Sequence, residues 1–83
     1  MVGKDTMKKI PLTQIKPNRK GRVVEILGSA NLQNKFMNMG LYKGKEVTKL
    51  SHIGLRGPVV IKTGMSILAL GHSIAVKVMV EVE

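Results

Sequence analysis

The segment Asn31–Leu50, NLQNKFMNMGLYKGKEVTKL, decides how the rest of the chain is read. Leu32, Phe36 and Met39 fall at i, i+4 and i+7 and give one apolar helical face. Asn34, Lys35 and Asn38 fall mostly on the opposite, wet face. Asn31, or Ser29 before it, can cap the first free N–H groups. Gly40 follows the last periodic residue, where a left-handed residue ends a helix most easily. Leu41 packs back, Lys43-Gly44-Lys45 turns the chain, and Glu46–Leu50 opens a strand.

Outward from this helix the sequence reads as strands. Arg22–Leu27 is β-branched and apolar, and Glu25 between Val24 and Ile26 assigns those two to the inner face. Val59–Thr63 and Ser66–Leu70 are short strands around Gly64. Ile74–Val82 alternates over its whole length and reads as one strand, preceded by a brief turn at Gly71-His72-Ser73. Ser51–Pro58 is a glycine-rich loop with Gly54–Gly57 as a hairpin tip. Met7–Asn18 contains Pro11 and Pro17, which argue against a helix, so it reads as an extended arm with Ile10, Leu12 and Ile15 lying on the barrel. The expected fold is mainly β: a small closed barrel of about five strands with one short inserted helix. Residues 1–6 read as a flexible extension ahead of a single domain spanning 7–83.

With 83 residues and no cysteine, the chain has a thin core and no disulfide or thiolate metal site. No apolar run reaches the roughly 18 residues that cross a bilayer, and no apolar signal core opens the chain. A cytoplasmic location without membrane insertion is expected. Residues 1–49 hold 11 of the 14 Lys and Arg but three of the five carboxylates, so nearly all of the +9 charge lies there. Such a bias suits an acidic protein surface, a phosphate backbone or anionic lipid.

Catalytic signals are nearly absent. The five carboxylates are scattered, and no nucleophile stands with a base and an orienting group. His52 and His72 are the only imidazoles, and both are expected to be solvated in loops. They are weak candidates for a transition metal such as iron, because a stable site wants three or four ligands. Met37, Met39, Met65 and Met79 read as core filler. Nucleic-acid binding has the charge in its favour, but Phe36 and Tyr42 are the only stacking rings. Tyr42 beside Lys43 and Lys45 is the best surface candidate, since aromatic rings in polar surroundings are common at interfaces.

The order and spacing of these pieces resemble the FeoA family, small cytosolic companions of the bacterial ferrous-iron transporter FeoB. The likeness runs from Ile10 to Val82. It is strongest at Phe36-Met37-Asn38-Met39-Gly40-Leu41-Tyr42-Lys43-Gly44, which is similar to the family's helix ending in a Gly-Leu-x-x-Gly turn. Leu12–Gly21, Leu55–Val59, Ile67–Leu70 and Ile74–Val78 follow the family's other segments. The resemblance implies an SH3-like barrel without catalysis or a required cofactor, related in fold to the C-terminal domain of DtxR-type repressors. It makes Gly40, Leu41 and Gly44 a fold-defining turn. It also implies an accessory, regulatory protein of iron homeostasis that acts on the cytosolic GTP-binding part of FeoB, recruited to the inner face of the membrane. The contact surface expected for this is Lys35, Asn38, Tyr42, Lys43 and Lys45. The competing expectation is a basic nucleic-acid-binding barrel. Small barrels can also associate through strand edges into homo-oligomers.

Overall fold

The computed structural model describes residues 8–54 and 56–82. The expected extension over residues 1–6 and Leu55 in the loop lie outside them. Six strands and two helices follow in order: β1 Lys8–Pro11, β2 Lys20–Ile26, α1 Ala30–Asn38, β3 Glu46–His52, β4 Val59–Thr63, β5 Ser66–Leu70, α2 His72–Ala75 and β6 Val78–Val82. They form one antiparallel sheet in the order β1-β6-β2-β3-β4-β5. Among the described residues no helix is long and apolar enough to cross a membrane.

The helix forms as its punctuation predicts. Ser29 caps it, its hydroxyl accepting from the Leu32 N–H at 3.3 Å. At the far end Gly40 takes φ 84. Its N–H donates to the Met37 carbonyl and the Leu41 N–H to the Phe36 carbonyl, both at 2.9 Å. This paired closure brings Leu41 back against Phe36, and both are fully buried. Phe36 is the one fully buried side chain of α1, and Leu32 packs beside it against the core. Leu32 is only partly buried and Met39 is 37% exposed, so the fully buried part of the face is narrower than its spacing suggests. The methionines are not core filler either: Met37 and Met65 are exposed, and Met79 is half-buried.

Two bulges set which side chains face the core. The β2–β6 register shifts between Val23 and Glu25. Val23 and Ile26 are therefore buried, and Val24 is displaced from the inward role that simple alternation assigns it. In β3 the register against β4 shifts between Lys49 and Ser51. The inner face then runs through Val47, Lys49 and His52 rather than through odd positions alone.

Both ends of the chain differ from the expected reading. The N-terminal arm is a true strand, with Lys8 opposite Val82 and Pro11 opposite Met79. It is an edge strand, where a proline is tolerated. Leu12–Gln14 then form a 3₁₀ turn that buries Leu12, followed by the buried Ile15. The alternation from Ile74 to Val82 is strand only from Val78. Gly71 starts a helical turn in which the Ala75 N–H donates to the Gly71 carbonyl at 2.8 Å, and Ala75 is buried. Among the described residues the sheet does not close through hydrogen bonds, and β1 and β5 are its two edges. α2 packs on the 3₁₀ turn.

Candidate functional site

Two regions collect chemistry-bearing side chains. The first is internal. Lys49 lies opposite the buried Ile61, and its own side chain is 2% exposed. The bulge after it turns His52, opposite the buried Val59, to the same side. Without that extra residue the two would point to opposite faces. The Lys49 ammonium donates to the Thr13 carbonyl at 3.0 Å and lies 3.3 Å from His52 Nδ1. It thereby ties the 3₁₀ turn to the sheet across 36 residues of sequence. His72, the first residue of α2, stacks on His52 with ring centroids 6.0 Å apart. Both histidines are half-buried, contrary to the expectation of solvated loop residues. His52 Nε2 and His72 Nδ1 are buried and find no hydrogen-bond partner.

The electrostatics of this cluster are one-sided. Burial pushes the Lys49 amine below its ordinary value. Burial, then the Lys49 charge, then His72 hold the His52 imidazole below 6.5. With Lys49 as an ammonium, His52 Nδ1 accepts and the ring proton sits on Nε2. The structure thus brings together the two weak metal candidates. Two imidazoles beside an ammonium still make a poor cation site, and no group of three or more His, Cys, Asp or Glu that could hold a metal occurs among the described residues.

The second region is the outer face of α1 and the turn after it. Lys35, Asn38, Tyr42 and Lys43 are exposed and Lys45 is half-buried. Lys45 Nζ lies 5.8 Å from the Tyr42 ring centroid, within reach of a cation–π contact. A Cβ built on Gly64 would lie 3.6 Å from the same Nζ. The β4–β5 hairpin tip therefore adjoins the turn and adds Met65, which is fully exposed, to one continuous surface. Sequence reasoning missed Met65 because it assigned the residue to the core. It also missed the burial of Lys49, although the parity with Val47 was there to be read.

Much of the remaining charge lines a cleft. An open cavity of about 560 Å³ is lined by Arg19, Lys20, Gly21, Arg22, Glu46, Glu81 and Val82. A smaller one of about 190 Å³ shares Arg19 and Val82 with it and adds Lys8 and Lys16. No aromatic ring lines either. The Lys9 ammonium, opposite the cleft-lining Glu81 in the register, pairs with the Glu25 carboxylate and holds that group below its ordinary value.

The FeoA domain model matches residues 10–82. The chain belongs to the FeoA family. Its backbone superposes on the crystal structure of an iron uptake regulatory protein (FeoA) with a TM-score of 0.80 at 36% identity, covering 90% of this chain and 99% of that one. FeoA of Stenotrophomonas maltophilia, crystallised with zinc, matches at TM-score 0.74 and 23% identity over 86% of this chain and 88% of its own. That protein is described as a prokaryotic SH3 domain protein and put forward as a ferrous iron transport activating factor. The fold here is the same SH3-like one. It is shared with a manganese-dependent transcriptional repressor at TM-score 0.82 and 16% identity, where it accounts for 44% of that chain. Among curated proteins, no sequence matches.

Proposed function

We propose that this FeoA-family protein is a non-catalytic accessory factor of bacterial ferrous-iron uptake, and that it binds the cytosolic GTP-binding part of FeoB. The observation that carries the reading is the surface where Tyr42, Lys43 and Lys45 meet the exposed hairpin tip at Met65. An exposed aromatic ring held by a lysine, beside a flexible thioether, is the composition of a protein-binding patch. The fold-defining turn Gly40-Leu41…Gly44 holds this patch rigidly on the core through Leu41. Among the described residues the scattered carboxylates and the inaccessible Lys49 amine form no arrangement suited to acid–base or nucleophilic work.

The test is a titration against the purified cytosolic domain of FeoB, loaded with a GTP analogue or GDP, at low and moderate salt. A random oligonucleotide serves as control. Saturable binding to the domain that survives moderate salt, and that is weakened by Tyr42→Ala with Lys43→Glu, supports the reading. Unchanged binding by that double variant removes the surface. Binding of the oligonucleotide alone, falling steeply with salt, replaces the adaptor by a nucleic-acid-binding barrel seated on the cleft of Arg19 and Arg22.

A further inference from the structure

The two edges of the sheet are built differently. β1 carries Lys8, Lys9 and Pro11, the charges and proline that discourage strand addition. β5, Ser66-Ile67-Leu68-Ala69-Leu70, has neither. Its outward side chain Ile67 is 65% exposed and Ala69 is exposed.

The hairpin determines which backbone groups lie open. Gly64-Met65 is a two-residue turn between partners Thr63 and Ser66, with Gly64 at φ 61. Such a turn closes on a hydrogen-bonded pair, after which bonded and non-bonded pairs alternate. Thr63–Ser66, Ile61–Leu68 and Val59–Leu70 are the bonded pairs. Ile67 and Ala69 therefore turn their N–H and C=O groups away from β4. Neither residue bonds to another backbone outside the sheet among the described residues.

The surroundings of this edge are cationic. Thr48 in β3, Lys62 in β4 and Ile67 in β5 stand in one cross-sheet row. Lys45 Nζ lies at the hairpin tip. No carboxylate occurs anywhere from Ile53 to Val80. We propose that the β5 edge accepts an extended, acidic segment of another protein as a seventh strand. Main-chain bonds to Ile67 and Ala69 supply the register. Apolar side chains at alternate positions pack on Ile67, and carboxylates reach Lys62 and Lys45. Lys62 is two strand spacings from the added strand, about 10 Å, which a lysine and a glutamate side chain span together. A second copy fits this edge poorly, because each copy brings a charge of +9. The proposal does not depend on FeoB being the partner.

The experiment uses the full chain and a blocked synthetic hexapeptide alternating valine and glutamate, with a valine–lysine peptide as control. Amide NMR shifts and hydrogen exchange are followed during titration. The expected result is a saturable shift and new protection of the Ile67 and Ala69 amides with the glutamate peptide only. Ile67→Pro, which removes an N–H that β4 does not use, should weaken binding about tenfold. Ala69→Glu, which keeps the backbone donor but repels the peptide, should also weaken it and covers the case where the proline variant fails to fold. Equal binding by a folded Ile67→Pro or by Ala69→Glu overturns the proposal, as do shifts confined to the Arg19 cleft. Protection of the β5 amides that needs no peptide and rises with protein concentration would make a second copy the occupant, and also overturns it.

Discussion

Replacing Lys49 by methionine removes one of the three causes that depress His52 and leaves burial and His72 in place. The unfolded chain protonates His52 near 6.5, whereas the folded protein holds it lower by burial first and by the Lys49 charge second. As pH falls through 6.5, the unfolded state takes up a proton before the folded one. Stability is therefore intact above 6.5, declines between 6.5 and the folded value, and declines no further below it. For one group the slope cannot exceed about 1.4 kcal/mol per pH unit. In Lys49→Met the burial and the His72 contribution remain and the Lys49 charge is gone. The folded value of His52 moves back toward 6.5, the window narrows, and the loss between pH 6.5 and 5.5 shrinks. At pH 8 the variant should stay within about 2 kcal/mol of the parent, because losing the Thr13 carbonyl's donor is offset by removing a desolvated ammonium. Urea denaturation at half-unit pH steps, with an NMR titration of the His52 ring, measures both quantities. An unchanged slope with an unchanged ring titration would refute the coupling between Lys49 and His52.

Four further outcomes follow from the packing, the turns and the helix cap. Phe36→Ala should cost about 3–5 kcal/mol, a large share of the roughly 4–12 kcal/mol expected for a domain this size, and calorimetry should find it barely folded. Gly40→Ala meets no atom within 4 Å, so its cost is the left-handed backbone alone, about 1–2 kcal/mol. Gly57→Ala should cost more than Gly40→Ala in the same denaturation assay, since its Cβ would lie 1.7 Å from the Ile53 carbonyl oxygen and the loop must open. Ser29→Ala should lower stability by about 1 kcal/mol through the lost cap, and an unchanged midpoint would show the 3.3 Å bond to be idle.

The parts of this architecture that local rules govern could be read directly. The Ser29 cap, the Gly40 stop, the Gly64 turn and the strands on either side of it each depend on a few neighbouring residues. The misread parts depend on distant ones. Ile74–Val82 has a strand's alternation, yet its first residues are needed as a helical turn that seats Ala75 in the core beside the 3₁₀ turn. Val24 changes face, and His52, read as a solvated loop residue, is turned inward, because a bulge in each strand shifts the parity, and a bulge leaves no mark in composition. The candidate surface was half legible for the same reason. Tyr42, Lys43 and Lys45 are neighbours in sequence, whereas Met65 joins them only through the hairpin. Lys35 and Asn38 lie exposed on the helix as their spacing implies.

β6 lies between β1 and β2, so the last strand in the chain fills the gap between the first two. During synthesis the first two strands leave the ribosome long before the residue pairs that join them exist. Until Val78–Val82 emerges, β1 has no partner and β2 has an open edge facing the place it will fill. The α1 unit and the β2–β3–β4–β5 run can assemble without β6, but β1 joins the sheet only through it. A stalled or truncated product lacking these five residues would thus lose β1 along with β6.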